Sequence, residues 1–254
     1  MSTPTSNMIH RNTFFLALIF GHLTACSQPT ASSTTEAASA TTDSLYTYGP
    51  STSADGTGKF YMDREIAHVM GHRAADWLER PNRETEERTD LLVEAMNLQA
   101  DDVIADIGAG SGYFTFRMSP LVPDGKVLAV DIQPEMLEMI AEKQRKEGGD
   151  NIQTILGEVD DPNLPSDSVD WVLLVDAYHE FSHPYEMMRD VADALTEDGR
   201  VALVEYREED PSIAIKPKHK MSEAQAVREM EAVGLKLIEN KQVLPQQHLM
   251  IFGK

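Results

Sequence analysis

Apolar and polar residues follow two repeating patterns over the second half of the chain. Short apolar runs, typical of buried strands, occur at residues 103–107, 126–131, 151–156, 169–175 and 200–206. Between these runs, apolar residues recur at intervals of three and four, which indicates amphipathic helices. Two last apolar stretches, 235–243 and 246–252, predict a closing antiparallel pair. The alternation predicts an α/β fold with a doubly wound, seven-stranded, mostly parallel sheet.

Turn and capping residues set the bounds of the predicted helices. Pro134 opens a helix that runs to about Glu147, and Pro184 opens another that runs to Leu195. Ser222 and Gln225 form a capping box before a helix over 223–233. Ahead of the first strand, apolar spacing predicts one helix through Ile66, Val69, Met70, Trp77 and Leu78 and a second over 85–96. We therefore expect an N-terminal helical extension over residues 56–100.

A glycine-rich loop follows the first predicted strand of the sheet. It reads D-I-G-A-G-S-G from Asp106 to Gly112, with glycine at alternate positions. Such glycines allow positive φ and let a ligand approach the main chain, and the following helix directs free N–H groups into the same gap. Tyr113 stands where a dinucleotide-binding loop needs its third glycine. The loop therefore predicts a small-molecule site at the carboxyl end of this strand.

The D-x-G-x-G-x-G pattern, together with an acid at the end of the next strand, resembles motif I of class I S-adenosylmethionine (SAM) dependent methyltransferases. The resemblance covers about residues 60–254 and implies that domain 101–254 binds SAM. It implies that Asp131 binds the ribose hydroxyls and that Ile132 packs on the adenine. The motif I residues implied to contact the cofactor are Asp106, Gly108, Ala109, Gly110 and Gly112.

The later strands carry further residues that the resemblance makes candidates. After the third strand, Glu158 is the first choice for the acid that accepts from the adenine amino group and Asp160 the second, with the N–H of Val159 donating to the ring. After the fourth strand, Asp176 is implied to contact the cofactor. The candidate catalytic residues, which follow it directly, are His179 and Tyr178. A histidine there can take a proton from the acceptor.

The helices before motif I often cover the site in this family. Residues of this segment that could reach the site are Tyr61, Arg64, His68 and His72. No set of metal ligands at a recognisable spacing occurs in the sequence, so no metal site is expected.

The charge of the chain restricts its partners. The formal net charge is −20, and the one cluster of positive residues, from Lys216 to Lys220, is short. Nucleic acid and anionic membrane surfaces are therefore disfavoured. The sequence D-A-Y-H after the fourth strand also lacks the Asn-Pro-Pro-Tyr motif of amine methylases. We expect a small-molecule methyl acceptor.

The N-terminal segment has the features of a lipoprotein signal. Arg11 precedes an apolar run, Phe14 to Phe20, that is too short to span a bilayer, and L-T-A-C ends at Cys26. This resembles a bacterial lipobox, which predicts a signal peptide over 1–25, a lipidated Cys26 and a Ser/Thr/Ala-rich tether over 26–55. The prediction is a membrane-anchored, periplasm-facing protein, with the outer membrane favoured by the residue after the cysteine. A start at Met8 and a cytoplasmic location both remain open.

Two other functions remain open from the sequence. One is a non-catalytic lipoprotein that keeps the fold and binds a SAM-like ligand. The other is an NAD(P)-dependent oxidoreductase in which Asp131 binds the ribose. The glycine spacing and the lack of a Tyr-x-x-x-Lys motif weigh against the second alternative.

Overall fold

The structure is a computed structural model that describes residues 45–254. The predicted signal peptide, the lipidation site Cys26 and most of the predicted tether lie outside the described residues. Within residues 45–254, no helix is long and apolar enough to cross a membrane.

A small antiparallel sheet precedes the central sheet. Its strands, in spatial order, are β1 (Tyr46–Tyr48), β2 (Gly56–Tyr61) and β3 (Arg64–Ala67). Tyr46 pairs with Tyr61 across β1 and β2, and both side chains pack with Ile66 in a small core. The prediction of a flexible tether is therefore wrong for residues 46–48. Burial of the Tyr46 side chain favours an ordered strand there.

The first predicted helix of the extension does not form. Met62 and Asp63 have positive φ values of 47° and 70° and make a tight turn between β2 and β3, so Ile66 lies in a strand. Residues His72–Trp77 form only a 3₁₀ helix. The helical spacing was misleading, because Ile66 is buried in a strand whereas Val69 and Trp77 are exposed outside any α-helix.

The second predicted helix is broken into two. These are α1 (Arg83–Glu87) and α2 (Thr89–Met96), and Arg88 between them has a φ of 54°. The Glu87 carboxylate accepts hydrogen bonds from Arg80 and Arg83 and from the hydroxyl of Tyr206, far along the chain. Long-range contacts thus fix the end of α1.

The predicted seven-stranded sheet is present. Its strands are β4 (Val103–Ile107), β5 (Lys126–Asp131), β6 (Ile152–Leu156), β7 (Val169–Val175), β8 (Leu195–Arg207), β10 (Lys236–Asn240) and β11 (Gln247–Gly253). Their spatial order is β10-β11-β8-β7-β4-β5-β6, with the short β9 (Lys220–Met221) added beside β8. The five strands from β4 to β8 are parallel to one another, and β11 and β10 are antiparallel, as the sequence predicts.

Helices cover both faces of this sheet. They are α3 (Thr115–Met118), α4 (Pro134–Glu147), α5 (Pro184–Ala194) and α6 (Glu223–Glu231), together with α2. One apolar core includes side chains of α5 and α6, and the other includes side chains of α2, α3 and α4. Ser222 caps α6 by accepting from the N–H of Gln225 at 3.3 Å, so the predicted capping residue is confirmed.

A buried ion pair joins the small sheet to the central domain. Arg64 on β3 donates two hydrogen bonds to the Glu229 carboxylate on α6, at 2.7 and 2.8 Å. Tyr178 donates to the same carboxylate at 2.7 Å. Because the Glu229 side chain is fully buried, removing Arg64 would leave an uncompensated charge in the interior.

We expect Arg64→Ala to destabilise the protein by about 3–5 kcal/mol because Glu229 loses its counter-ion. The measurement is urea unfolding followed by circular dichroism. Lys146→Ala serves as the control, since it breaks an exposed ion pair with Glu142 and should leave the midpoint unchanged. Equal midpoints for the two variants would contradict the role of the buried pair.

Candidate functional site

A cavity of about 610 Å³ lies at the carboxyl ends of β4, β5 and β7. The parallel register brings these ends together: Ile107 of β4 lies beside Val130 of β5, and β7 flanks β4 on the other side. Ligands bind at this edge of open α/β sheets, so the fold places the cavity where the sequence predicted a site.

Two glycines of the loop after β4 line the cavity. Gly108 and Gly110 have φ values of 74° and 55°. A Cβ atom on Gly108 would lie 2.8 Å from the Cβ of Ala177, so this position has no room for a side chain. The main chain of Gly108 is exposed at the cavity, whereas Gly110 is buried and a Cβ atom there would lie 2.5 Å from Cδ1 of Leu78.

Asp106, Ala109 and Gly112 do not line the cavity. The Asp106 carboxylate lies beneath the loop and accepts from the Thr115 hydroxyl at 2.5 Å. A Cβ atom on Gly112 would meet Ile140 of α4 at 3.0 Å. These three residues shape and pack the loop, and their predicted contact with the cofactor stays a prediction.

Asp131 lines the cavity at the end of β5. Its carboxylate accepts the N–H of Gly110 at 2.9 Å and the N–H of Gln133 at 2.8 Å. Burial raises the pKa of Asp131, although these two N–H groups act in the opposite direction. Each carboxylate oxygen has a second lone pair, so Asp131 can still accept from a ligand's hydroxyl groups.

Residues that follow β5 and β6 form another wall of the cavity, as predicted for the cofactor site. Ile132, Glu158 and Val159 all line the cavity, and the side chains of Ile132 and Val159 are 37% and 47% exposed. Asp160, the second choice for the adenine-binding acid, does not line it. The placement favours Glu158 over Asp160.

Asp176, which directly follows β7, is half-buried and has a positive φ of 50°. Its Oδ2 atom accepts from Gln247 at 2.8 Å, whereas its buried Oδ1 atom has no hydrogen-bond partner among residues 45–254. Burial raises the pKa of Asp176 well above its ordinary value, and the charges of Glu87 and Glu205 raise it further. A bound donor or cation would satisfy this oxygen.

His179 borders the cavity within a buried polar cluster. Its Nδ1 lies 2.6 Å from Oε2 of Glu205, and its Nε2 lies 2.9 Å from Nδ1 of His219. Burial acts to lower the pKa of His179, but the charge and hydrogen bond of Glu205 outweigh it and raise the pKa. Burial and the charge of His179 lower the pKa of His219 to about 4. With both ring nitrogens engaged, His179 has none directed freely at an acceptor.

Tyr178, the other predicted catalytic residue, does not line the cavity. Its side chain is fully buried, and its hydroxyl donates to Glu229. The 3₁₀ turn Tyr178–Glu180 directs successive side chains to different sides, so Tyr178 packs inward while His179 and Glu180 reach the cavity. This placement gives the Tyr178 hydroxyl no direct access to the cavity and does not support the predicted catalytic role.

The segment before motif I does cover the cavity, but through residues that sequence reasoning missed. Tyr61, Arg64, His68 and His72 do not line it. The residues of this segment that do are Val69, Met70, Ala74, Trp77, Leu78, Arg80, Arg83 and Glu87. Sequence reasoning also missed Glu205, which contacts His179. The signal that could have found it is a charged residue within the apolar run of β8.

Comparisons with known proteins agree with this geometry. Residues 104–199 match the model of a family described as a methyltransferase domain. This part of the chain is therefore similar to a methyltransferase domain. An uncharacterized methyltransferase of Bacillus subtilis, YcgJ, is 33% identical over 122 residues, which are 48% of this chain and 47% of that protein. The chain thus matches about half the length of this curated relative.

Solved structures share the fold of the methyltransferase domain. A SAM-dependent methyltransferase from Aquifex aeolicus superposes with a TM-score of 0.68 at 22% identity, over 72% of this chain and 98% of that one. The crystal structure of YcgJ gives a TM-score of 0.51 at 28% identity, over 60% and 70% of the two chains. The fold is therefore that of class I SAM-dependent methyltransferases.

Asp106 makes the stability of the methyltransferase domain depend on pH. Burial raises its pKa from 3.8 to about 6, although the Thr115 hydrogen bond opposes the shift. Between these two values the folded state binds a proton that the unfolded chain has lost. Stability from this group therefore falls as the pH rises from about 4 to about 6, by about 3 kcal/mol in total.

We expect Asp106→Asn to unfold at a higher temperature than the wild type at pH 8 and to lose that advantage at pH 4. The amide oxygen of asparagine can still accept from Thr115. Differential scanning calorimetry at the two pH values measures the effect. Asp198→Asn, which removes the same charge from an exposed position of β8, should melt at the wild-type temperature at both pH values. An advantage for Asp106→Asn that is equal at both pH values would contradict the raised pKa.

Proposed function

We propose that the protein is a SAM-dependent methyltransferase that acts on a small molecule. The observation that carries the proposal is the cavity itself, in which the exposed main chain of Gly108, the Asp131 carboxylate and the Oδ1 atom of Asp176 meet at one sheet edge. Its volume, about 610 Å³, falls within the range of about 300–1,000 Å³ for small-molecule sites.

The residues present fit a nucleoside that carries a positive charge. Asp131 offers lone pairs to ribose hydroxyls, and the exposed side chains of Ile132 and Val159 offer apolar surface to a base. The buried Oδ1 of Asp176 suits a positively charged group, which would offset the cost of burying this carboxylate. SAM, when bound, supplies an electrophilic methyl group on a positively charged sulfur.

The protein's own contribution is to align donor and acceptor and to keep water out. Apolar side chains from the segment before β4, including Met70 and Leu78, form one wall of the cavity. The loop after β7 forms another wall with Phe181. Holding two reactants in such an enclosed site supplies most of what an already reactive methyl donor needs.

The acceptor end of the cavity is polar. His179, Glu180 and His219 lie together there, beside a wall that is otherwise largely apolar. This arrangement supports a small acceptor with one polar group. The net charge of −20 supports the exclusion of nucleic acid, because a phosphate backbone would be repelled.

The function is tested by isothermal titration of the full chain with SAM. We expect binding in the micromolar range, about −8 kcal/mol. Asp131→Ala should lose it, since the ribose contact is removed. Asp160→Ala, an acid near the same sheet edge that does not line the cavity, should bind as the wild type does.

Two further measurements separate the alternatives. Conversion of SAM to its demethylated product in the presence of candidate acceptors distinguishes an enzyme from a non-catalytic binding module. Titration with NAD in place of SAM tests the oxidoreductase alternative. A folded protein that binds no SAM would contradict the proposal.

We also propose that Cys26 is lipidated and anchors the protein to a membrane on the periplasmic side, with the outer membrane favoured. The L-T-A-C sequence and the presence of one cysteine in the chain support this. A cytoplasmic protein is the alternative.

We expect the wild type expressed in a Gram-negative host to fractionate with membranes, because a lipid on Cys26 would anchor it. Cys26→Ser should abolish this, whereas Ser27→Ala should keep it. Membrane fractionation with immunodetection, and the mass of the mature chain, provide the measurement. A soluble wild-type chain that retains residues 1–25 would contradict the anchor.

A further inference from the structure

Three side chains at the acceptor end of the cavity bring their donor atoms close together. Nε2 of His179 lies 2.9 Å from Nδ1 of His219. Oε1 of Glu180 lies 3.9 Å from the first atom and 3.8 Å from the second. Two imidazoles and a carboxylate form a ligand set that divalent transition metals favour.

The spacing of these atoms fits a metal ion. The circle through the three donor atoms has a radius of about 2.1 Å, so one point is equidistant from all of them. Zn²⁺ binds histidine nitrogen at about 2.0–2.1 Å and carboxylate oxygen at about 2.0–2.2 Å. An ion at or near this point therefore needs little movement of the side chains.

Two of the three side chains are oriented by a second partner. The Nδ1 atom of His179 lies 2.6 Å from the buried Glu205 carboxylate, which leaves Nε2 as the atom directed at the cluster. Oε2 of Glu180 accepts the N–H of Met70 at 3.0 Å, which leaves Oε1. In metal sites, the histidine ring nitrogen that does not bind the metal usually donates to a carboxylate, a main-chain carbonyl or water. Glu205 is such a carboxylate for His179.

The nearby cations are committed to other carboxylates. Arg64, which donates to the main-chain oxygen of His179, is paired with Glu229, and Lys216 lies 2.6 Å from Asp55. Glu180 and Glu205, with side chains 14% and 0% exposed, have no lysine or arginine partner among residues 45–254. The basic side chains beside these two carboxylates are the imidazoles of His179 and His219 themselves. A dication held by the imidazoles would balance the two negative charges.

We propose that His179, His219 and Glu180 bind a divalent transition-metal ion such as Zn²⁺, with Glu205 orienting His179. Imidazole ligands favour such ions over Mg²⁺ and Ca²⁺, which prefer oxygen. All three residues line the cavity, so the ion is accessible to its occupant. A role in holding a polar acceptor group rests on the proposed methyltransferase function, whereas the metal site itself does not.

The sequence could not reveal this site by spacing. His179 and Glu180 are adjacent, but His219 lies far downstream, in the 3₁₀ turn Pro217–His219. The competing explanation is a direct hydrogen bond between the two imidazoles, in which one proton occupies the place of the ion. The two explanations differ in whether a metal binds.

The test is isothermal titration of the chelator-treated full chain with Zn²⁺, in the absence of SAM. We expect one ion per chain and no comparable binding of Mg²⁺. His219→Gln and Glu180→Gln should each weaken Zn²⁺ binding by about 100-fold or more, because loss of a ligand costs at least as much as loss of a supporting residue. Circular dichroism confirms that each variant is folded.

His72→Gln is the matched control, because His72 also lies within 4 Å of a glutamate, at 3.8 Å, but does not line the cavity. It should bind Zn²⁺ as the wild type does. A wild type that binds no Zn²⁺, or folded variants at His219 and Glu180 that keep the wild-type affinity, would overturn the site. Titration of the same sample with SAM tests the proposed function separately. Failure of the metal site can therefore be distinguished from failure of the methyltransferase proposal.

Discussion

The site depends on the hydrogen bonds that hold the glycine loop against the end of β5. The N–H groups of Gly108 and Ala109 donate to the main-chain oxygen of Val130 at 2.9 and 3.0 Å, and the N–H of Gly110 donates to Asp131. These bonds satisfy the loop backbone within the protein and fix its open face toward the cavity. The loop is thereby prepared before a ligand arrives, and binding does not have to order it.

The same edge of the sheet collects carboxylates whose burial costs stability. Asp106 lies one residue before the end of β4, Asp131 ends β5 and Asp176 follows β7. Burial raises the pKa of each of these carboxyl groups. A structure selected only for stability would not place unpaired acids here. Such raised pKa values are typical of functional sites, where the cost is offset when a ligand binds.

Local patterns made the central sheet and the glycine loop predictable. The strands from β4 to β7 match the predicted apolar runs, whereas β8 begins at Leu195, ahead of its apolar run at 200–206. Asp131 was predictable from its position at the end of the second apolar run. The turn at Met62 and Asp63 and the break at Arg88 were not predictable, because partners far along the chain decide them. The directions of the Tyr178 and His179 side chains were not predictable either, because they depend on a 3₁₀ turn that the local sequence does not indicate.

The two ends of the cavity differ in origin. The cofactor end is built from the loops after β4, β5 and β6 and from the end of β7, so one short stretch of sequence after each strand defines it. The acceptor end combines residues 69–87, the turn after β7 and the segment around His219. These segments lie outside the central sheet and far apart along the chain, although Glu79 also contacts the glycine loop by accepting from Ser111 at 2.7 Å. Because no single motif contains them, a sequence that identifies the cofactor leaves the acceptor open.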